Sequence, residues 1–193
     1  MSKFLKSVAI LSVIAAGTSA FAQETTQADP NSDLDLGTAV QPELQVGQPY
    51  IREEHGDWAL RCLKSEAGTP DPCQLYQLLA DENGNSVAEI SMFPLPDGGR
   101  AAAGATIVVP LETLLTQQLT VAVDGGEARR YPYTFCNTAG CVARVGFTTA
   151  ELAQFKLGNV ATLRMVPAAA PDEEVLLSIS LVGFTAGFAA SGN

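Results

Sequence analysis

Beyond residue 56 the chain is a series of short runs in which apolar side chains recur at every second position, separated by turn residues. This is the pattern of strands that bury one face. Asp57–Lys64 sets Trp58, Leu60 and Cys62 on one side. Cys73–Ala80 and Ser86–Phe93 follow, joined by Asp81-Glu82-Asn83-Gly84-Asn85, where Asn83-Gly84 tolerates the positive φ of a tight hairpin. Gly104–Val109 is a short apolar strand ended by Pro110-Leu111, and Leu111–Gln118 has room for one helical turn. Leu119–Val123 alternates again, and Asp124-Gly125-Gly126 turns the chain into Arg130–Cys141. There Tyr131, Tyr133 and Phe135 are expected on one face of a strand. Asn137, Thr138 and Gly140 supply a turn, and Cys141–Phe147 is the returning arm.

One segment departs from the period of two. In Thr148–Phe155, Thr148 can cap a helix, Glu151 three residues later completes a capping box, and Gly158-Asn159 stops it. Val160–Val166 and Val175–Val182 are the last strands, the second with Leu177, Ile179 and Leu181 opposed to Ser178 and Ser180. Gly183–Phe188 reads as a final extension. About eight short strands, with turns every ~8–12 residues, predict an all-β antiparallel sandwich with one short helix. Nothing alternates in the βαβ manner of a parallel sheet.

The first residues follow another pattern. Lys3 and Lys6 precede the apolar run Val8–Ala16, and Ala20-Phe21-Ala22 offers a small-residue cleavage site before Gln23. Residues 1–22 are therefore predicted to be a secretory signal peptide. The run is shorter than the roughly 20 residues of a spanning helix, and no cysteine follows the cleavage site to carry a lipid. Residues 23–45, rich in Gln, Thr, Asp and Pro, hold too little apolar surface to repay their ordering, and are predicted to form a disordered acidic linker. The sandwich domain is assigned to residues 46–193, with Val46–Glu54 expected along its edge.

Charge narrows the partners. The chain has 11 basic and 21 acidic residues, and removing residues 1–22 leaves 9 against 21, a net charge of −12. Such a surface repels phosphate backbones and anionic lipid, so neither nucleic acid nor simple membrane adhesion is expected.

Four cysteines in an exported chain point to two disulfides, for which three pairings exist. Cys62 with Cys73 and Cys136 with Cys141 is the simplest, whereas a crossed pairing such as Cys62 with Cys136 would close a far longer loop. Spacings of ten and four intervening residues, without a flanking histidine, do not suit structural zinc. Nor does a turn with four intervening residues resemble a thiol-active pair at a helix N-terminus. A structural role is expected for all four cysteines.

Other candidate chemistry is sparse. His55, the only histidine, stands beside Glu53, Glu54 and Asp57, a set that could serve a metal or a general base but is more ordinarily an exposed strand entry. Ser178 and Ser180 lie within a strand, without a glycine-flanked elbow. Trp58, Tyr131 and Tyr133 could anchor an interface but suit core packing better. Asp97, Asp172, Glu173 and Glu174 lack the ligand spacing of a calcium loop. No catalytic, cofactor-binding or metal-ligating residue is assigned, and no cofactor is expected.

An ordered set of residues nevertheless resembles the invasion-associated locus B family of exported bacterial proteins. The set runs from Gly56-Asp57-Trp58 through Arg61-Cys62, Cys73, Val109-Pro110-Leu111, Tyr133, Cys136 and Gly140-Cys141 to Ser180-Leu181-Val182-Gly183-Phe184-Thr185. It covers roughly Glu54 to Ala189, and departs from the family at Glu112, where a glycine would be expected. The resemblance implies an immunoglobulin-like β-sandwich in the periplasm of a Gram-negative bacterium, or secreted to its outer surface. The family's name comes from host-cell entry, and no catalytic residues are carried over. The expected role is non-enzymatic binding of a protein in the envelope or on a host cell. The alternative is a periplasmic carrier of a small apolar ligand held between the sheets.

Overall fold

The structure, a computed structural model, describes residues 35, 37, 38 and 43–192. The expected signal peptide lies outside the described residues, and so does most of the expected linker. Every described strand and helix falls in the unit Pro42–Asn193.

Seven strands form the larger antiparallel sheet: β1 (Pro49–His55), β2 (Trp58–Leu63), β3 (Cys73–Ala80), β4 (Ser86–Pro94), β5 (Ala103–Val109), β8 (Tyr133–Asn137) and β9 (Gly140–Phe147). Their order is β1-β2-β3-β4-β5-β9-β8. The smaller sheet contains β6 (Leu119–Val123), β7 (Arg129–Tyr131), β10 (Val160–Met165) and β11 (Val175–Ser180), in the order β11-β10-β6-β7. Alternation decides which side of each strand is buried. Leu75, Leu79, Ile90, Met92, Ala105 and Ile107 of the larger sheet share one core with Val121, Leu163, Leu177 and Ile179 of the smaller. The result is a β-sandwich.

The aromatic stretch is divided differently from its sequence pattern. Tyr131 ends β7 in one sheet and Tyr133 begins β8 in the other, with Pro132 between them. Proline has no N–H to give a ladder, so the chain changes sheets where the ladder must break. A register shift between Tyr133 and Phe135 then separates their faces. Tyr131 and Tyr133 pack against the core, while Phe135 is 43% exposed.

Two helices lie among the described residues. In α1 (Thr149–Leu157) the Thr148 hydroxyl accepts from the Glu151 N–H, and the Glu151 carboxylate accepts from the Thr148 N–H at 2.7 Å. Helix α2 (Phe184–Ala190) replaces the extension expected over Gly183–Phe188. Gly183 starts it at φ +83, a left-handed conformation suited to glycine. Phe184 and Phe188, four residues apart, then share the face turned to the core. Leu115–Gln117 forms a single 3-10 turn. Rings link these pieces in sequence: Trp58 meets Phe184, Phe184 meets Phe155, Phe155 meets Phe147, and Phe147 meets Tyr131, with centroids 4.9–6.0 Å apart.

Candidate functional site

Strand register brings the cysteines together. Cys62 lies opposite Cys73 on β2 and β3, Cys136 opposite Cys141 on β8 and β9, and each pair is bonded with Cα atoms 4.0 Å apart. No free cysteine occurs among the described residues. At the second hairpin Gly140 has φ +147, and a Cβ there would meet the Val109 carbonyl oxygen at 2.3 Å. Only glycine fits.

The other candidate residues do not assemble a reaction centre. His55 Nε2 lies 3.2 Å from Glu53 Oε2, and its ring packs against Gly187 of α2. No group of three or more potential metal ligands occurs among the described residues. Glu174 is paired with Arg164 at 2.5 Å, and the hydrogen bond from that guanidinium holds its carboxyl below the usual range. The Ser180 hydroxyl donates to Asp57 Oδ2 at 2.5 Å and accepts from the Val182 N–H.

That last bond belongs to a seam between the sheets. Trp58, 1% exposed, donates its indole N–H to the Ser180 carbonyl at 2.7 Å. Gln77, 6% exposed, donates to the same carbonyl at 3.1 Å and accepts from the Ser180 N–H at 2.9 Å, so its amide stands in for a neighbouring strand. The Asp57 N–H donates to the Val182 carbonyl at 3.1 Å. A Cβ on Gly56 would strike that carbonyl at 2.6 Å, and one on Gly183 would strike the His55 carbonyl at 2.0 Å. Gly56-Asp57-Trp58 and Ser180–Phe184 are therefore held face to face by backbone contact. The seam satisfies buried polar groups and leaves little free for chemistry.

The outer side of the larger sheet is a different surface. Here lie Ile51, Leu63, Leu78 and Phe135, all at least 43% exposed, with Tyr76, Phe93 and Val108 half-buried between them. The Arg61 guanidinium lies 3.9 Å over the Tyr76 ring, donates to Ser91 at 3.1 Å and is 3.7 Å from Glu89. Burial, then the nearby Glu89 carboxylate, pushes the Tyr76 hydroxyl above its ordinary pKa. The Phe93 ring sits where a Cβ of Gly104 would be, 2.6 Å away, so an aromatic covers the bare glycine backbone. The sequence reading missed this face because it is spread over alternate positions of six strands and has no motif.

The family model described as Invasion associated locus B (IalB) protein matches residues 58–192, from β2 through α2. The chain belongs to this family. Among solved structures, the crystal structure of invasion associated protein B from Bartonella henselae matches with a TM-score of 0.59 and 22% identity. The match covers 72% of this chain and 94% of that one. At that identity the likeness concerns the fold. No curated protein matches the chain. Among the described residues of this IalB family member, no helix is long and apolar enough to cross a membrane.

Proposed function

We propose that this chain is an exported envelope protein that acts by protein contact through the outer side of its larger sheet, without catalysing a reaction. The observation that carries this is the open face itself. Leu78 and Phe135 are 52% and 43% exposed in a chain of net charge −10, and exposed apolar groups gathered on one face mark an interaction site. Export is supported by the leader pattern of residues 1–22 and by two disulfides, which persist in oxidising compartments. Residues 23–45 act in this reading as an acidic tether ahead of the domain. Catalysis is disfavoured because the Ser180 hydroxyl is committed to Asp57 and the sulfurs to disulfides. The carrier reading needs an apolar cavity between the sheets, and the linked rings from Trp58 to Tyr131 occupy that space.

The test has two parts. Expression of residues 1–193 in a Gram-negative host, followed by N-terminal sequencing of the periplasmic fraction, is expected to return a chain starting at Gln23. Intact cytosolic protein would count against export. Mature protein and a Leu78→Glu/Phe135→Ser variant are then incubated with envelope extract. Capture lost in the variant, with melting unchanged, supports the face, and equal capture by both removes it.

A further inference from the structure

Cross-strand pairing draws one continuous rung over the open face. Glu54 on β1 is opposite Ala59, Ala59 opposite Tyr76, and Tyr76 opposite Ser91. Ser91 is opposite Thr106, and Thr106 opposite Arg144 on β9. Directly paired residues share a face, so Glu54 and Arg144 stand at the two ends of one row on the same side of the sheet. Five strand spacings separate them, about 24 Å. Both are exposed. Between them Arg61 and Glu89 already face each other at 3.7 Å. Arg144 has only the Phe135 ring, 5.8 Å away, and among the described residues neither Arg144 nor Glu54 has an ion-pair partner. The face is thus balanced, two cations against two anions, in a chain that is otherwise strongly acidic.

A surface with an unpaired anion at one end of a row and an unpaired cation at the other is complementary to itself. A two-fold axis running along the strands, between β3 and β4, turns the sheet over and exchanges its edges. It lays Glu54 of one copy over Arg144 of the other and repeats the pair on the far side. Sheets of the same twist pack face to face with strands within about 30° of each other, so the two rows can meet. We propose that the occupant of this face is a second copy of the chain, joined as an isologous dimer. The inference rests on the binding role proposed above and names its partner. Ile51, Leu63 and Leu78, on strands inside the overlap, supply apolar burial, and the two Glu54–Arg144 pairs set the register and exclude partners lacking the charge pattern. Net repulsion between two acidic copies is confined to short range at physiological salt, where the Debye length is about 8 Å.

The experiment is sedimentation equilibrium of mature protein, residues 23–193, in 0.15 M salt over a wide concentration range. A concentration-dependent dimer is expected. Glu54→Arg or Arg144→Glu sets like charges against each other and is expected to weaken association tenfold or more, on the order of a like-charge contact. The Glu54→Arg/Arg144→Glu double variant is expected to recover it. Both sites are exposed, and unchanged thermal melts show that folding is not at issue. A monomer at every concentration, or a double variant that stays monomeric while the parent dimerises, overturns the proposal. A monomer that still captures an envelope protein through Leu78 and Phe135 overturns the second copy and leaves the binding role standing. A chain that does neither overturns both.

Discussion

The same three strands, β2 to β4, present two opposite surfaces. On the inner side Trp58 and Gln77 close on Ser180, and Gly56 and Gly183 allow backbones to touch. One residue away along each strand, Ala59, Arg61, Tyr76, Leu78 and Glu89 face outward, where no strand or helix among the described residues covers them. Apart from Arg61, which faces outward, the residues of these strands and of the seam that carry the family resemblance, Gly56-Asp57-Trp58, Cys62, Cys73 and Ser180–Phe184, belong to the sealed side. They report how the sandwich is closed, and they are committed to closing it. In the binding role proposed above, specific action comes from the alternate positions, where a change costs the fold little. A one-residue offset separates the stability of this protein from its contacts.

Breaking the sealed side is expected to have the largest effect. Trp58→Ala removes a fully buried ring that meets Phe184 edge-on, together with the indole bond to Ser180. Truncation of a large buried aromatic costs about 3–5 kcal/mol. Urea unfolding of the oxidised protein, followed by far-ultraviolet circular dichroism, measures it. Loss below about 1 kcal/mol would mean that the seam is not what holds the sheets.

Gln77→Ala is the more selective cut. It leaves the rings in place but strips Ser180 of an N–H acceptor in a buried setting. Leaving such a donor unmet costs about 1–3 kcal/mol. Leu78→Ser, next along the same strand, is expected to stay within about 0.5 kcal/mol of the parent, because its side chain is already half in water. Equal losses for the two would erase the distinction between the surfaces.

Sequence pattern reached much of this architecture because most strands bury one side only. Cys73–Ala80, Leu119–Val123 and the Thr148 capping box stand where alternation and local polar chemistry put them. It was weakest where tertiary contact overrides local pattern. Tyr131, Tyr133 and Phe135 alternate like one strand, yet the missing N–H of Pro132 and a register shift send them to two sheets. Phe184-Thr185-Ala186-Gly187-Phe188 is too short and too glycine-rich to announce a helix, and it forms one because both phenylalanines enter the core from it. The outward rung from Glu54 to Arg144 was not legible at all, since it unites residues 90 positions apart through five pairings.

Tyr133 lies at the margin between the two surfaces and gives the finest test of the contrast. Its ring packs on the core, while its buried hydroxyl has no hydrogen-bond partner among the described residues, and burial pushes its pKa up to about 12. A folded pKa above the ordinary value near 10 means that the neutral hydroxyl favours the folded state. Its contribution is fully present below pH 10 and is lost as the pH rises from about 10 through about 12. Tyr133→Phe removes the ionising group and an unmet polar atom while keeping the ring. At pH 7 the variant is expected to be as stable as the parent or up to about 1 kcal/mol more stable, since an unsatisfied buried hydroxyl is a cost. Between pH 10 and 12 it should lose less stability than the parent, with Tyr131, also raised to about 12, contributing equally in both proteins. Urea midpoints at pH 7 and pH 11 decide the matter. A variant less stable at pH 7 would show that the hydroxyl meets a partner, and would move Tyr133 to the sealed side of the molecule.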